Sequence, residues 1–200
     1  MEEIIRTPRT GKLRYRQVSS SPVRDSSGEI VGSVSVVRDI TEMKRADEEI
    51  RENEERFRSL FANMSSGVAI MEAVGDGEDF VFKDINKAAE RIENVRREDV
   101  IGHSVLEIFP AIKEFGLFDV FQRVWETGVA EDHPVSFYKD ERISGWRDNY
   151  VLKLPSGEVV AIYEDVTEQK RAEEQQALLS AIIQYSNEGI LGKTLDGVIT

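Results

Sequence analysis

The stretch Asp165-Val166-Thr167-Glu168-Gln169-Lys170-Arg171-Ala172-Glu173-Glu174 decides the fold, because a close copy of it occurs earlier in the chain. That copy reads Asp39-Ile40-Thr41-Glu42-Met43-Lys44-Arg45-Ala46-Asp47-Glu48. Each version follows a strand-like Gly-Glu-Ile/Val-Val segment, at 28–31 and 157–160, and each opens a charged run with helical character. Copies this far apart indicate tandem domains, since each repeat is long enough for a core of its own.

The composition narrows the class of protein. The 200 residues carry a formal net charge of −12, and this argues against binding to nucleic acid or to an anionic membrane surface. There is no cysteine, so disulfides, thiolate metal sites and thiol nucleophiles are excluded. No apolar run reaches the roughly 20 residues of a membrane span, and Met1–Ile5 lacks the order of a signal peptide. We therefore expect a cytoplasmic fragment without membrane contact.

The segment between the two copies has the pattern of one complete α+β domain. Alternating apolar positions and turn residues predict five strands, at 67–73, 80–86, 131–138, 145–154 and 158–166. Helical spacing predicts helices between the second and third strands, at 87–92, 97–109 and 115–127. This order favours a five-stranded antiparallel sheet with short helices on one face, flanked by long linker helices.

The same signals divide the chain into five segments. We predict the C-terminal part of a preceding domain, a coiled-coil linker helix, a complete domain, a second linker helix and the start of a following domain, at 1–39, 40–64, 65–166, 167–185 and 186–200.

The first linker carries apolar residues at heptad spacing. A seam of this kind predicts a dimer through the linker helices, with one polar residue setting the register; its members are Met43, Ile50, Asn53, Phe57, Leu60 and Met64. The alternative is a solitary amphipathic helix that lies on its own domain.

Four motifs in this order resemble tandem PAS domains with their C-terminal PAC segments, as found in sensor histidine kinases. The motifs are Arg56–Phe61 with Ser66–Val68, Asp84–Ala89, Arg97–Ser104 with Phe109–Pro110, and Gly157–Val160 with Asp165–Glu168. The resemblance implies a PAS fold and a sensory or dimerisation module that passes a ligand- or partner-induced change through its linker helices. It implies a downstream output domain, most simply the histidine kinase of a two-component system.

The resemblance also assigns a relay role to the exit motif. Asp165 and Thr167, with Asp39 and Thr41 in the earlier copy, would cap the linker helix and bond the neighbouring strand. A plain helix N-cap is the alternative reading of the aspartate, and the two roles are compatible.

The family's internal pocket lies between the sheet and the helices, and the aromatic residues there could line it or fill it. The candidate lining residues are Phe118, Phe121, Trp125, Phe137, Tyr150, Leu152 and Tyr163. Strict strand alternation predicts that Arg147 and Asn149 face away from this pocket. A filled core would favour a ligand-free PAS scaffold for protein interaction.

No catalytic or metal-binding pattern is visible, so we expect a non-enzymatic fragment. The resemblance implies that its parent protein is a histidine kinase. His103 and His133 are the two histidines, and neither lies on the predicted helix where PAS haem sensors carry their ligand. The sequence thus argues against haem. A light-sensing flavin of the LOV type is excluded because it needs a cysteine, while non-covalent flavin and the identity of any ligand stay open.

Overall fold

The structure is a computed structural model that describes residues 2–6 and 13–185. The chain divides into two compact units, Met1–Leu60 and Phe61–Thr200. The predicted start of a following domain, 186–200, lies outside the described residues.

The first unit is a three-stranded antiparallel sheet followed by a helix. Its strands are β1 (Glu2–Arg6), β2 (Leu13–Arg24) and β3 (Ile30–Asp39), in the order β1-β2-β3. The sequence predicted two strands here and missed β1, because a five-residue segment with three charged residues gives a weak strand pattern. Helix α1 (Thr41–Asn63) follows directly after Ile40.

A tight turn joins β2 to β3. The Asp25 carboxylate accepts hydrogen bonds from the backbone N–H of Ser27 (2.9 Å) and of Glu29 (3.0 Å). Gly28 has φ +83°, a value that residues with a Cβ rarely adopt. These two features explain why the Asp-Ser-Ser-Gly segment reverses the chain.

The second unit contains the predicted five-stranded antiparallel sheet. The strands run in the spatial order β5-β4-β8-β7-β6. Their bounds are β4 (Gly67–Val74), β5 (Asp79–Ile85), β6 (Glu131–Lys139), β7 (Ser144–Lys153) and β8 (Val159–Asp165). The predicted α+β architecture is confirmed, and each strand lies within two residues of its predicted bounds.

Five short helices connect β5 to β6, which is more than the three predicted. They are α2 (Lys87–Glu93), α3 (Arg97–Val100), α4 (Val105–Ile108), α5 (Ile112–Phe115) and α6 (Leu117–Thr127). The predicted helix 97–109 is interrupted at Gly102, which has φ +82°, and the predicted helix 115–127 is interrupted at Gly116, which has φ +85°. Left-handed backbone cannot continue a right-handed helix, so each glycine separates two short elements.

The core of this unit lies between the sheet and the helices. Phe80 on β5 contacts Phe118 and Phe121 on α6 edge-to-face, with ring centroids 5.7 and 5.6 Å apart. Asn86 fixes the entry to α2: its Oδ1 accepts from Ala89 N (2.8 Å) and from Val68 N (3.0 Å). One buried amide thus caps a helix and holds it against β4.

The second linker helix, α7 (Thr167–Tyr185), leaves β8 two residues after the strand ends. Together α1 and α7 confirm the long helices expected on both sides of the domain. None of the described helices has the length and apolar character needed to cross a bilayer.

Candidate ligand cavity and exit motif

A cavity of about 60 Å³ lies inside the second unit, between the sheet and the short helices. Most of its wall is apolar, supplied by Ala69, Met71, Phe82, Val105, Phe109, Ile112, Phe115, Leu117, Phe121 and Ala161. Its polar lining residues are Glu93, Tyr138, Arg147, Asn149 and Tyr163. The cavity therefore combines an apolar interior with a small number of specific polar groups.

Arg147 connects this cavity to the end of the sheet. Its side chain is only 5% exposed, and its Nε donates to Glu93 Oε1 of α2 at 3.1 Å. Its Nη1 lies 3.1 Å from Asp165 Oδ2 at the end of β8. Its Nη2 also donates to the Ile92 carbonyl at 3.3 Å. The guanidinium thus bridges a helix and a strand end, and its charge is matched by two carboxylates.

Asp165 in turn holds the first residue of α7. Its Oδ1 accepts from Thr167 N at 2.9 Å. Thr167 Oγ1 accepts from Trp146 N on the neighbouring strand β7 at 2.9 Å. The start of α7 is therefore bonded to β7 by a side chain, and the carboxylate that orients this residue contacts a cavity residue.

The buried charges have perturbed acidities. Burial raises the pKa of the Glu93 carboxyl, although the Arg147 guanidinium opposes that shift. Burial alone would also raise the pKa of Asp165, but hydrogen bonds from Thr167 and the charge of Arg147 outweigh it and hold this pKa below its ordinary value. The two carboxyls on one guanidinium thus shift in opposite directions, because Glu93 is far more buried than Asp165.

Asn149 is the second inward-facing polar residue of β7. It is 4% exposed, and its Nδ2 has no hydrogen-bond partner among the described residues. A buried amide N–H without an acceptor is uncommon and costs free energy. Asn149 is a cavity-lining residue, and Nδ1 of His133, the residue paired with it on β6, is likewise buried without a partner among the described residues.

The predicted pocket residues fall into three groups. Phe121 and Tyr163 line the cavity. Phe118 is buried in the core beside it, and Trp125 is partly buried, with its carbonyl accepting from Lys153 Nζ at 2.5 Å. The remaining three predictions, Phe137, Tyr150 and Leu152, do not line the cavity.

Phe137 and Tyr150 were predicted to face inward, and this was wrong. They are 49% and 40% exposed, and Phe137 packs edge-to-face on Trp146 with centroids 5.6 Å apart. A bulge in β6 between His133 and Ser136 reverses the alternation of that strand, so that Tyr138 faces inward instead.

On β7 the whole phase was predicted the wrong way round. Arg147 and Asn149 were expected to face away from the cavity, but both are buried and line it. Val151, two residues further along the same face of the strand, is buried in the core. Tyr150 and Leu152 alternate with them and therefore point to the other face of the sheet. Charged residues such as arginine are rarely buried unless a partner of opposite charge pairs with them. Because the carboxylates that pair with Arg147 are remote in sequence, the aromatic residues of β7 were predicted to face inward instead.

Neither histidine is itself a cavity-lining residue, although the His133 ring packs on the lining residue Phe115, with centroids 4.8 Å apart. His133 is buried, with Nε2 3.1 Å from the Phe115 carbonyl, and burial lowers its pKa. His103 is exposed, with Nδ1 3.4 Å from Glu107 Oε2. Within residues 2–6 and 13–185 no three potential metal ligands cluster together. The cofactor expectations stay predictions.

The seam residues of α1 are exposed side chains on a helix. Met43, Ile50, Asn53, Phe57 and Leu60 lie on α1, and Met64 follows its last residue. The four largest apolar side chains of the helix seam are each more than half exposed.

The exit motif of the second unit has a counterpart in the first. Asp39 Oδ1 accepts from Thr41 N at 3.0 Å, and Thr41 Oγ1 accepts from Tyr15 N on the neighbouring strand at 2.9 Å. The guanidinium on Asp39 comes from Arg14, at 2.9 Å, and this arginine is about half exposed. Both copies thus bond the start of a helix to an adjacent strand. In the second copy the arginine on the aspartate lines the cavity between sheet and helices, whereas in the first copy Arg14, Asp39 and Thr41 line a separate cleft.

Comparison with known families agrees with this architecture. A family model described as PAS fold matches residues 61–171, more than half of the chain, and one described as PAS domain matches residues 1–42. The chain belongs to the PAS family. The match to the PAS domain model ends at the first exit motif, and the match to the PAS fold model ends just after the second.

One curated relative of this PAS chain is named as a kinase. Sporulation kinase E of Bacillus subtilis (strain 168) is 23% identical over 145 residues, which are 71% of this chain and 18% of that kinase. The chain therefore spans less than a fifth of the length of this curated relative.

Solved structures resemble the PAS chain at low sequence identity. A domain of a sensory box sensor histidine kinase/response regulator from Geobacter sulfurreducens is 15% identical, with a TM-score of 0.47, over 58% of this chain and 96% of that one. An RNA-binding light-oxygen-voltage receptor is 14% identical, with a TM-score of 0.50, over 85% of this chain and 45% of that one.

Proposed function

We propose that this chain is a cytoplasmic PAS sensory and dimerisation module. A ligand or partner changes the packing around the cavity of the second unit, and the change passes to α7 and to a downstream output domain. The observation that carries the proposal is the position of Arg147. It lines the cavity and also pairs with Asp165, whose carboxylate binds the first residue of α7.

The relay has a specific physical form. A molecule in the cavity that moves the Arg147 guanidinium changes its distances to Glu93 and Asp165, which are both 3.1 Å. Because the attraction between two opposite charges falls as their separation grows, Asp165 would lose part of what orients it toward Thr167. The start of α7 would then be held less firmly to β7.

Filling the cavity by mutation tests this relay without a known ligand. Ala161 lies on β8, is 3% exposed and lines the cavity, so Ala161→Val places two extra carbons there. We expect amide hydrogen exchange in the first turns of α7 to change. The control is the same substitution in an Arg147→Met background, where the effect on α7 should be lost. An equal effect on α7 in both backgrounds would contradict a relay through Arg147.

The output is proposed to be a histidine kinase of a two-component system. Support comes from the relative named as a kinase, of which this chain matches 18%. The assay is ATP-dependent autophosphorylation of the full-length parent protein, with wild-type and Arg147→Met chains. Loss of regulation with intact kinase activity supports the proposal, and the absence of any phosphorylation in the wild type contradicts it.

Dimerisation is proposed through the linker helices. The support is the exposed heptad seam of α1, in which Asn53 is the polar member. Apolar side chains that repeat every 3.5 residues are stabilised when a second helix covers them.

A ligand-free interaction scaffold is the second candidate. The observation in its favour is the cavity volume of about 60 Å³, since pockets for drug-sized ligands measure roughly 300–1,000 Å³. A scaffold predicts that filling the cavity leaves α7 unchanged, so the Ala161→Val experiment separates the two candidates.

A further inference from the structure

We propose that the second unit senses protons: protonation of His133 on β6 breaks the contact between that strand and the end of α5, and so changes the wall of the cavity. This inference rests on the proposed sensory function and names the signal to which that function responds. It is drawn from the surroundings of the two ring nitrogens, one of which is hydrogen-bonded while the other is not.

The neutral form of the ring is fixed by its bonded nitrogen. His133 is 7% exposed, and its Nε2 lies 3.1 Å from the carbonyl oxygen of Phe115, the last residue of α5. A carbonyl only accepts hydrogen bonds, so Nε2 carries the ring proton and Nδ1 keeps a free lone pair. The ring also packs on the Phe115 ring, with centroids 4.8 Å apart. The neutral histidine thus holds the end of α5 against β6 in two ways.

The other nitrogen has no free acceptor for a second proton. Nδ1 is buried and makes no hydrogen bond within the described part of the chain. Asn149 lies directly opposite on β7, and its buried Nδ2 is a donor that also lacks a partner. The Pro134 carbonyl, next along the strand, already accepts from Ser136 Oγ at 2.7 Å. Protonation of Nδ1 therefore places a second unpaired donor between the two strands, which is unfavourable.

Burial and one nearby cation oppose protonation in the folded state. Burial lowers the pKa of His133, and the positive charge of Arg123 on α6 adds to this effect. The backbones of Phe115 and Pro134 favour the charged ring but do not outweigh burial. Because the pKa is lowered from 6.5, the contribution to stability is present above pH 6.5 and is lost as pH falls through the folded-state value. Acidification therefore favours an arrangement in which the ring reaches water.

The other charged groups on the neighbouring elements do not stabilise a charged ring. Glu131 on β6 pairs with Arg123 at 2.8 Å. Lys113 and Glu114 on α5 are exposed. Arg147, the buried charged residue of β7, has the same sign of charge as a protonated histidine and pairs with carboxylates of its own.

A change at this contact reaches the cavity directly. Phe115 lines the cavity, and its ring packs edge-to-face on Tyr138, another lining residue, with centroids 5.4 Å apart. Gly116 follows with φ +85°, and a Cβ there would lie 3.5 Å from His133 Nε2. The ring thus fits closely against the end of α5, so its movement toward water changes the position of Phe115 in the cavity wall.

NMR of the full chain, labelled with ¹⁵N, follows the ring and α5 together. The pH is lowered from about 8 to about 4, which covers most histidines in folded proteins. We expect the ring nitrogens of His133 to show the neutral Nε2–H form at the upper end and to become protonated on acidification. The backbone amides of Phe115 and Gly116 should shift with the same midpoint.

Two substitutions separate protonation of His133 from other effects of acid. His133→Gln keeps a side-chain N–H for the Phe115 carbonyl but cannot become charged, so the acid-induced shifts at Phe115 and Gly116 should disappear. Asn149→Asp places a carboxylate opposite the ring, so the midpoint should move to higher pH by about one unit or more. His103→Gln, a change of an exposed histidine, is the matched control and should leave the response intact. The amide spectrum near neutral pH checks that each chain is folded.

The outcomes are distinct for proton sensing and for the relay. Proton sensing would be overturned by a His133 ring that stays neutral to about pH 4, by protonation that leaves Phe115 and Gly116 unchanged, or by an unaltered response in His133→Gln. An unchanged midpoint in a folded Asn149→Asp chain would overturn it as well. A response at Phe115 that leaves amide exchange in α7 constant, after correction for the intrinsic effect of pH, would support proton sensing and overturn the proposed relay.

Discussion

Arg147 on β7 and Asp165 on β8 are directly opposite each other in the sheet, and their side chains form an ion pair with Nη1 and Oδ2 3.1 Å apart. Arg147 belongs to the cavity wall and Asp165 to the exit motif, so one contact joins the two parts of the candidate site. Both residues are held by further bonds, to Glu93 and to Thr167.

Replacing Arg147 should destabilise the second unit strongly. Arg147→Met keeps much of the side-chain volume but leaves Glu93 buried without its cation. Removal of one partner from a buried pair costs about 3–5 kcal/mol, and chemical denaturation of the purified chain measures this. The matched control is Arg97→Met, which breaks the more exposed Arg97–Asp84 pair and should cost below about 1 kcal/mol. Similar losses for both variants would contradict the buried role of Arg147.

The hydroxyl of Thr167 should hold the start of α7 to β7. Thr167→Val keeps the branched shape but removes the acceptor of Trp146 N, so the Trp146 amide should exchange faster with solvent. The expected loss is about 1 kcal/mol, typical of a helix cap. Thr167→Ser retains a hydroxyl and should restore most of the protection, whereas equal exchange in the valine and serine variants would contradict this role.

Much of the fold could be predicted from the sequence because its signals are local. The five strands of the second unit show clear turn residues at their ends, such as the glycine at 157, and the repeated exit motif marks where each long helix begins. The short helices were predicted less well, because Gly102 and Gly116 adopt left-handed backbone inside runs that otherwise have helical spacing.

The cavity wall was predicted poorly because its polar members depend on partners far along the chain. Arg147 is buried only because Glu93, 54 positions away, and Asp165 surround it. Without these contacts, alternation favours the aromatic side of β7 as the inner face. The bulge in β6 also shifts by one residue which side chains of that strand face inward. Pro134 lies within the bulge, and a proline inside a strand is a local signal of such an irregularity.

The close approach of Gly67 and Tyr163 should make position 67 intolerant of a side chain. A Cβ there would lie 2.5 Å from Tyr163 Cε2, and this ring is nearly fully buried, so it has little room to move. Gly67→Ala should lower the free energy of unfolding by about 1–3 kcal/mol. Gly32→Ala on β3 is the control, since no atom lies within 4 Å of its added Cβ. A Gly67→Ala chain as stable as the wild type would show that the strands separate easily.

The two carboxyls on Arg147 should affect stability in opposite directions as the pH changes. The pKa of Glu93 is raised by burial, so its contribution is complete below the ordinary value of 4.5 and is lost as pH rises through the folded-state pKa. The pKa of Asp165 is lowered, so its contribution is present above 3.8 and is lost as pH falls through the folded-state value. Chemical denaturation of the purified chain at a series of pH values from about 3 to about 8 measures both effects.

Two substitutions separate these contributions. As pH rises above 4.5, the wild type should lose stability relative to Glu93→Gln, which cannot ionise. As pH falls below 3.8, the wild type should lose its advantage over Asp165→Asn. Parallel pH profiles for the wild type and Glu93→Gln would contradict the assigned burial of Glu93.

The seam of α1 should control association of the chain. Ile50 is 59% exposed and lies at the centre of the heptad pattern, so Ile50→Glu would place charges opposite each other in a paired helix. We expect sedimentation velocity to show a dimer for the wild type and a monomer for Ile50→Glu. The control is Glu48→Ala, which lies away from the seam and should remain dimeric. Asn53→Ile should strengthen association but relax the register of the paired helices, because a buried asparagine sets the register at a cost in stability. A wild type that is monomeric at high concentration, or an Ile50→Glu chain that is still dimeric, would contradict association through α1.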